Sequence, residues 1–175
     1  MAEEKKEKPE AVPLGETEAI DELTKPEVPE NLPDASWSFE DLIEAVTKDS
    51  NMLVRSNAVN ALARKGGPES VDPLIMALKD PEDVVKANAI VGLRHLGKDL
   101  VQESMAKALT ESEHDEIRAG AAWVLGEMID EKAIDLLKKA AEEDESPMVR
   151  VHAKASLIAH EKSSAEAKPE TEKKE

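Results

Sequence analysis

The hydrophobic residues of this chain recur with two periods, a short one that predicts helices and a long one that predicts repeats. Between residues 37 and 162, apolar residues lie three or four positions apart, which places them on one face of an α-helix. Valine or isoleucine followed by lysine or arginine occurs four times there, at intervals of 31, 32 and 32 residues. The four basic residues are Arg55, Lys86, Arg118 and Arg150.

Counting from each basic residue, two downstream positions are invariant. Position +3 holds Ala58, Ala89, Ala121 and Ala153, and position +7 holds Leu62, Leu93, Leu125 and Leu157. Upstream, a second apolar set recurs in phase: Ile43 and Val46, Ile75 and Leu78, Met105 and Leu109, Leu137 and Ala141. Each unit is therefore predicted to contain two helices, in repeats at 37–67, 68–98, 99–130 and 131–162.

Residues that favour helix ends agree with these boundaries. Ser38 followed by Asp41 resembles a capping box, and Asn51 and Ser146 are good N-caps for second helices. Gly66 and Gly67 tolerate the left-handed backbone that often ends a helix.

The two ends of the chain lack this pattern. Residues 1–36 contain eleven acids, four lysines and five prolines, so they are predicted to be a disordered acidic tail. Within them, Thr17 to Leu23 (TEAIDEL) places Ile20 and Leu23 one helical turn apart. This segment either forms a short helix on contact with a groove or only contains stray apolar residues in a solvated tail. Residues 163–175 are polar and are also predicted to be disordered.

Composition narrows the fold class to all-α. Trp37, Phe39 and Trp123 are the only aromatic residues, so the core must consist of Ala, Leu, Ile, Val and Met, which suit packed helices. The chain has no cysteine, which fits a reducing compartment, and we expect a cytoplasmic protein. No apolar run reaches the length of a membrane span, and the N-terminus lacks the apolar segment of a signal peptide.

Net charge restricts the partners. The formal charge is −16, and each basic residue lies among acids rather than in a basic cluster. Phosphate backbones and anionic lipid headgroups attract clustered Lys and Arg. We therefore expect neither nucleic acid nor membrane as a partner.

The repeated segments resemble the HEAT-like repeat family, in the short form known from phycobilisome-lyase-type proteins. The stretches that carry the resemblance are DSNMLVRSNAVNALARKG, DPEDVVKANAIVGLRHLG, EHDEIRAGAAWVLGEM and DESPMVRVHAKASLIAH. The resemblance implies an α-solenoid of four repeats and eight antiparallel helices. The signature residues of tetratricopeptide and ankyrin repeats are missing.

The resemblance also implies a structural ladder, in which a loop acid and a repeat arginine join adjacent repeats. The residues in those columns are Asp49, Arg55, Asp80, Lys86, Arg118, Asp144 and Arg150. Ser112 stands where an acid is expected, and Lys86 lacks the bidentate fork of arginine. We therefore expect looser packing on either side of repeat three.

No enzymatic site is expected. In deoxyhypusine hydroxylase, a di-iron relative, the ligands are His-Glu pairs directly after the repeat arginine. Those positions here hold Ser56-Asn57, Ala87-Asn88, Ala119-Gly120 and Val151-His152. His152 and His160 lie about 12 Å apart along one helix, too far for one ion. We predict no catalytic residue, metal or cofactor.

A binding surface is the preferred functional hypothesis. In this family the second helices line the concave side, where positions +2, +5 and +9 form one stripe. The stripe contains Asn57, Asn60, Arg64, Asn88, Val91, His95, Gly120, Trp123, Glu127, His152, Ala155 and Ala159. Trp123 either anchors a partner or fills a gap between repeats, whereas Trp37 and Phe39 are expected to cover the end of the stack.

We therefore expect a non-enzymatic scaffold or adaptor, monomeric in isolation, that binds another protein or peptide. Its setting would be that of an accessory or assembly factor for an enzyme complex, an expectation based on family analogy. One alternative is a bilin-lyase-like protein or cofactor chaperone. Another is a structural subunit of a larger complex.

Overall fold

The computed structural model describes residues 29–166, and within that range the chain forms helices and loops without a strand. Eight α-helices follow one another between residues 29 and 166: α1 Phe39–Lys48, α2 Met52–Lys65, α3 Val71–Ala77, α4 Asp83–Leu96, α5 Lys98–Glu111, α6 Asp115–Glu127, α7 Glu131–Glu143 and α8 Pro147–Glu166. A short 3-10 helix, Pro68–Ser70, precedes α3. The prediction of an all-α solenoid with two helices per repeat is confirmed.

The helices form two layers. The first helices of the repeats, α1, α3, α5 and α7, pack in one layer, and the second helices, α2, α4, α6 and α8, pack in the other. The four invariant alanines are fully buried, as are Leu62, Leu93 and Leu125, while Leu157 is partly buried. The second helices pack on one another more extensively than the first helices do, as expected for the inner layer of a curved stack.

The caps at Ser38 and Asn51 follow the prediction, with one difference at Ser38. The backbone N–H of Asp41 donates to Ser38 Oγ at 3.0 Å, and that of Leu53 donates to Asn51 Oδ1 at 2.9 Å. The carboxylate of Asp41 accepts from the Ser38 hydroxyl at 2.6 Å, whereas in a capping box it would accept from the Ser38 backbone N–H. The hydroxyl of Ser146 donates to Asp115 of the preceding repeat.

The turn between the first two repeats depends on glycine. Gly66 and Gly67 have φ of 72° and 81° with ψ of −165° and 165°, so both adopt an extended positive-φ conformation that essentially only glycine allows, and not the left-handed helical conformation that was predicted. The Ser70 hydroxyl then lies 2.8 Å from the carbonyl oxygens of both Leu62 and Gly66, so its single hydrogen ties the end of α2 to this turn.

The first end of the stack is covered by residues before α1 and at its start. Trp37 and Phe39 pack against the core as expected, together with Leu32. The ammonium of Lys65 donates to the carbonyl oxygens of Ala35 and Trp37 and lies 5.0 Å from the centroid of the Phe39 ring. Contacts with the core thus begin before the predicted boundary at residue 37, and α8 continues to Glu166, past the predicted boundary at 162.

The predictions of disorder for residues 1–28 and 167–175, and of a short docking helix at Thr17 to Leu23, lie outside the described residues. Among the helices that are described, none is long and apolar enough to cross a lipid bilayer.

Candidate functional site

The exposed surface of α2, α4, α6 and α8, here called the second-helix face, carries the predicted stripe. Its first half is polar, and its second half is mainly apolar. The half-buried members are Asn57, Asn88, Gly120 and His152, and the exposed members are Asn60, Arg64, Val91, His95, Trp123, Glu127, Ala155 and Ala159. The sequence therefore placed all of these residues on one surface, but their role in binding stays a prediction.

The amides of the first half are fixed by contacts within the protein. Asn57 Nδ2 donates to the carbonyl oxygen of Leu53 at 2.7 Å, and Asn88 Nδ2 donates to Ser56 Oγ at 2.7 Å. The second bond joins α2 to α4, so it also holds two repeats together. One N–H of each amide is thus engaged within the protein, which fixes the position of both side chains.

An open depression of about 450 Å³ lies between α2 and α4 on this face. Its lining residues are Asn57, Asn60, Ala63, Arg64, Val91, Gly92 and His95. The helices approach closely at its floor, because a Cβ added to Gly92 would come within 3.0 Å of Ala63 Cβ.

Trp123 dominates the second half of the face. Its side chain is 42% exposed, and its ring lies 5.6 Å from the His152 ring, centroid to centroid, in a T-shaped arrangement. Trp123 therefore contacts the next repeat and still presents a large part of the indole to solvent. Val151 and Ile158 of α8 are 63% and 50% exposed.

Glu127, the last stripe residue of α6, forms an ion pair within the face. Arg94 Nε lies 2.5 Å from Glu127 Oε2, and this pair connects α4 to α6. The sequence analysis did not identify it, because Arg94 lies one position before His95, outside the stripe. In the sequence, this pair is indicated only by a basic residue at position +8 of one repeat and an acidic residue at position +9 of the next.

Two rungs of the predicted ladder are present. We call the contact between successive repeats a seam, with outer seams between repeats one and two and between three and four, and a central seam between two and three. Arg55 binds Asp80 through Nε and Nη2 at 2.7 and 3.0 Å, and Arg118 binds Asp144 in the same way at 2.9 and 3.0 Å. Both are bidentate pairs across the outer seams.

Each of these arginines also holds its own loop. Arg55 Nη1 donates to the carbonyl oxygens of Asp49 and Ser50, and Arg118 Nη1 donates to that of Ser112. Arg150 Nη1 donates to the carbonyl oxygens of Asp144 and Glu145. The Asp49 carboxylate accepts the backbone N–H of Asn51 at 2.7 Å, so Asp49 shapes the first loop and forms no rung.

The rungs lie in largely buried surroundings. The side chains of Arg118 and Asp144 are 8% and 10% exposed. Burial by itself raises the pKa of Asp144, but hydrogen bonds from Arg118 and from the Ser146 backbone outweigh that effect, and the pKa of Asp144 lies below its ordinary value. The hydrogen bond to Asp144 correspondingly raises the pKa of Arg118.

The central seam has no rung. Lys86 binds Asp83 of its own helix at 2.8 Å, and Ser112 Oγ accepts the backbone N–H of His114. Ser112 thus keeps the turn-forming role of the loop acids but supplies no negative charge. The expected loosening on both sides of repeat three is therefore wrong for the outer seam, where Arg118 forms its rung, and α6 packs extensively on α8.

A polar cluster on the first-helix side was missed by the sequence analysis. Asp130, the N-cap of α7, accepts the backbone N–H of Ala133 and also contacts Gln102 and Lys98 of α5 at 2.5 and 3.1 Å. These three contacts, the backbone one first, lower the pKa of Asp130. Within residues 29–166, no group of three or more His, Asp or Glu side chains is arranged to hold a metal ion.

Comparison with known proteins identifies the repeats. The family model described as HEAT repeats matches residues 18–94 and 103–169. Comparison with curated protein sequences finds no match. The structure of human deoxyhypusine hydroxylase in complex with glycerol is similar in fold, with a TM-score of 0.54 and 22% sequence identity. That alignment covers 82% of this chain and 52% of the hydroxylase, so the chain spans about half of that structure.

Proposed function

This chain belongs to the HEAT-repeat family, and from that premise we propose that it is a non-enzymatic scaffold or adaptor that binds another protein or peptide through the second-helix face. The setting we propose is an accessory or assembly factor for an enzyme complex. The cysteine-free composition supports a cytoplasmic location, because a reducing compartment places no demand for disulfides on the chain.

The observation that carries the proposal is the exposure of Trp123. A chain with three aromatic residues places two of them against the end of its core and leaves the third 42% exposed in the middle of one face. Tryptophan is enriched among the residues that dominate binding energy at protein interfaces. The side chains of Val91 and Val151, on the neighbouring helices α4 and α8, are also exposed.

The Trp123 side chain is also held in place before any partner arrives. The His152 ring supports its edge, and α6 itself lies close to Leu78, since a Cβ at Gly120 would come within 2.9 Å of Leu78 Cδ2. A side chain that is already ordered loses less conformational entropy on binding, which favours affinity. Both features support Trp123 as an anchor.

The absence of catalysis is part of the proposal and rests on residue identity. The positions that carry His-Glu pairs in the di-iron relatives hold Ser56-Asn57, Ala87-Asn88, Ala119-Gly120 and Val151-His152 here. His152 is the one histidine among them, and its ring contacts Trp123. These residues suit a contact surface better than a pair of metal ions.

The test compares affinity capture from source-cell lysate by the wild type, Trp123→Ala and Met76→Ala. Met76 is a matched control, because its side chain is 43% exposed but belongs to α3 in the other layer. We expect one stoichiometric partner that is lost with Trp123→Ala and retained with Met76→Ala. With the purified partner, titration calorimetry should give at least a ~30-fold weaker dissociation constant for Trp123→Ala.

Circular dichroism must first establish that both variants remain folded. Equal binding by all three proteins would contradict the proposal. A version that lacks residues 1–28 tests whether those residues bind the partner. If the partner is lost only with that deletion, the tail makes the contact and the second-helix face does not.

A further inference from the structure

The depression between α2 and α4 differs in charge from the rest of this acidic chain. The chain has 39 acidic and 23 basic residues, yet none of the described residues that line this depression is a carboxylate. The other described depressions each include at least one, such as Asp144, Asp80 or Glu103. The local charge therefore favours a ligand that carries negative charge.

The cation in this depression is available for a ligand. Arg64 is exposed and, within residues 29–164, forms neither a hydrogen bond nor an ion pair. His95 lines the same depression one repeat further on, and Arg94 lies beside it, paired to Glu127. A guanidinium with free donors binds carboxylates in a bidentate manner.

The described chain begins close to this cation. Hydrogen bonds from Ser36 lower the pKa of Asp34, and the nearby charge of Arg64 lowers it further. Lys65, the residue after Arg64, holds the carbonyl oxygens of Ala35 and Trp37. The described chain, which begins at residue 29, therefore passes close to Arg64 between Asp34 and Trp37.

One stretch of that preceding segment has complementary chemistry. Residues 14–24 (LGETEAIDELT) contain four acids and no lysine or arginine, and their apolar residues include Ile20 and Leu23. Val91, 57% exposed, offers an apolar contact next to Arg64 and His95. The nine residues from Leu23 to Leu32 can span up to about 30 Å, which is enough to reach across one repeat.

We propose that residues 14–24 of this chain dock intramolecularly in the depression between α2 and α4, with their carboxylates on Arg64 and His95. A tether this short gives an effective concentration in the millimolar range, so a weak contact suffices for substantial occupancy. The acidic segment covers the polar half of the second-helix face and leaves the Trp123 half open. A partner that needs both halves must displace it.

The test uses the full chain and its lack of native cysteine. Ala19→Cys allows a single nitroxide label in the segment, and paramagnetic broadening of backbone amide signals then reports which residues it approaches. We expect broadening centred on Asn60, Arg64, Val91 and His95. Arg64→Glu should remove most of it, whereas Lys138→Glu, an equal charge change at an exposed position of α7, should leave it unchanged.

Three results would overturn the proposal. The first is broadening spread evenly over the surface, and the second is broadening centred on Trp123 or α8. The third is broadening in a mixture of two proteins, one that carries the nitroxide but is not enriched in nitrogen-15 and one that is enriched in nitrogen-15 but carries no nitroxide. The contact would then lie between two copies of the chain. None of these measurements requires the partner, so they are independent of the Trp123 test of the proposed function.

Discussion

The outer seams and the central seam of this stack hold neighbouring repeats together in different ways. Each outer seam has a largely buried, bidentate arginine–aspartate pair, Arg55 with Asp80 and Arg118 with Asp144. The central seam has Lys86 and Ser112 in the equivalent columns, and they do not bond to each other. Polar contacts across it lie at the surface, between Lys79 and His114 and between Arg94 and Glu127.

Packing differs at the same place. In the outer seams, small residues meet, because a Cβ on Gly92 would press on Ala63 and a Cβ on Gly126 would overlap with Ser156. In the central seam, the equivalent columns hold Arg94 and Val124. Accordingly, α4 packs on α6 less extensively than α2 on α4 or α6 on α8. Buried charge pairing and close helix approach are thus lost together.

The comparison indicates an array of two repeat pairs joined by a softer seam. In a linear repeat array, stability is the sum of the stabilities of individual repeats and of the contacts between neighbours. Because the contact between repeats two and three is weak, opening the central seam should cost less free energy than opening an outer seam. The second-helix face changes character at the same seam, from amides to Trp123.

The largest predicted effect comes from breaking an outer rung. Arg118→Ala leaves the Asp144 carboxylate largely buried without its cation, and should lower the free energy of unfolding by about 3–5 kcal/mol. Lys86→Ala removes the equivalent residue of the central seam. Because the side chain of its partner Asp83 is 97% exposed, this substitution should change the free energy of unfolding by less than about 0.5 kcal/mol. Urea denaturation followed by circular dichroism measures both. Equal losses would show that the rungs do not distinguish the seams.

Glycine substitutions give the next largest contrast. Gly126→Ala at the outer seam drives a methyl group into Ser156, including its backbone, and should cost about 1–3 kcal/mol. Gly120→Ala at the central seam meets Cδ2, Cδ1 and Cγ of Leu78 at 2.9–3.2 Å but no backbone atom, and its gain of up to about 1 kcal/mol in helix propensity offsets part of that contact. Thermal denaturation of the two variants provides the comparison. A larger loss for Gly120→Ala would contradict it.

Restoring the missing rung should strengthen the central seam. In the double variant Lys86→Arg with Ser112→Asp, the two substitutions together should stabilise the protein by about 1 kcal/mol more than the sum of the single variants. Ser112→Asn with Lys86→Arg is the control, because asparagine keeps the shape without the charge. A double-mutant cycle in urea gives the coupling. Equal coupling in the control would mean that charge is not what the seam lacks.

The smallest predicted effect concerns the surface pair of the central seam. Arg94 and Glu127 are 46% and 36% exposed in their side chains, so Glu127→Gln should cost about 0.2–1 kcal/mol. That loss should disappear in 1 M salt, where the screening length falls to about 3 Å, whereas the loss from Arg118→Ala should persist. Unfolding measured at two salt concentrations separates the two cases. A salt-insensitive loss for Glu127→Gln would indicate a buried contribution.

Most of the fold follows from the sequence because a repeat array depends on local contacts. The helix period, the caps and the Ala and Leu columns involve only residues within one repeat or its neighbour. The constant interval between repeats therefore predicts where the helices and core residues lie. The shortness of α3 was not predicted. With Pro73 in its first turn and Gly66 and Gly67 before it, that helix begins after a 3-10 turn. Several local backbone preferences compete there, so the repeat pattern alone does not determine where the helix begins.

The candidate site was predictable in membership but not in contacts. The stripe and the arginine rungs follow from column positions. The Arg94–Glu127 pair and the contacts of Asp130 with Lys98 and Gln102 depend on how neighbouring helices are rotated and spaced, and no period encodes that geometry. The relation between Trp123 and His152 depends on the same geometry.

The direction of the ladder imposes an order on synthesis. Each rung joins an arginine to an aspartate further along the chain, 25 residues later for Arg55 and 26 for Arg118. At a translation rate of about 5–20 residues per second, each arginine leaves the ribosome roughly 1–5 s before the carboxylate that neutralises it. After repeats one and three, the nascent stack therefore ends in an arginine whose aspartate partner has not yet been translated. At the central seam Ser112 occupies the equivalent column, and Lys86 pairs with Asp83, which has already been translated.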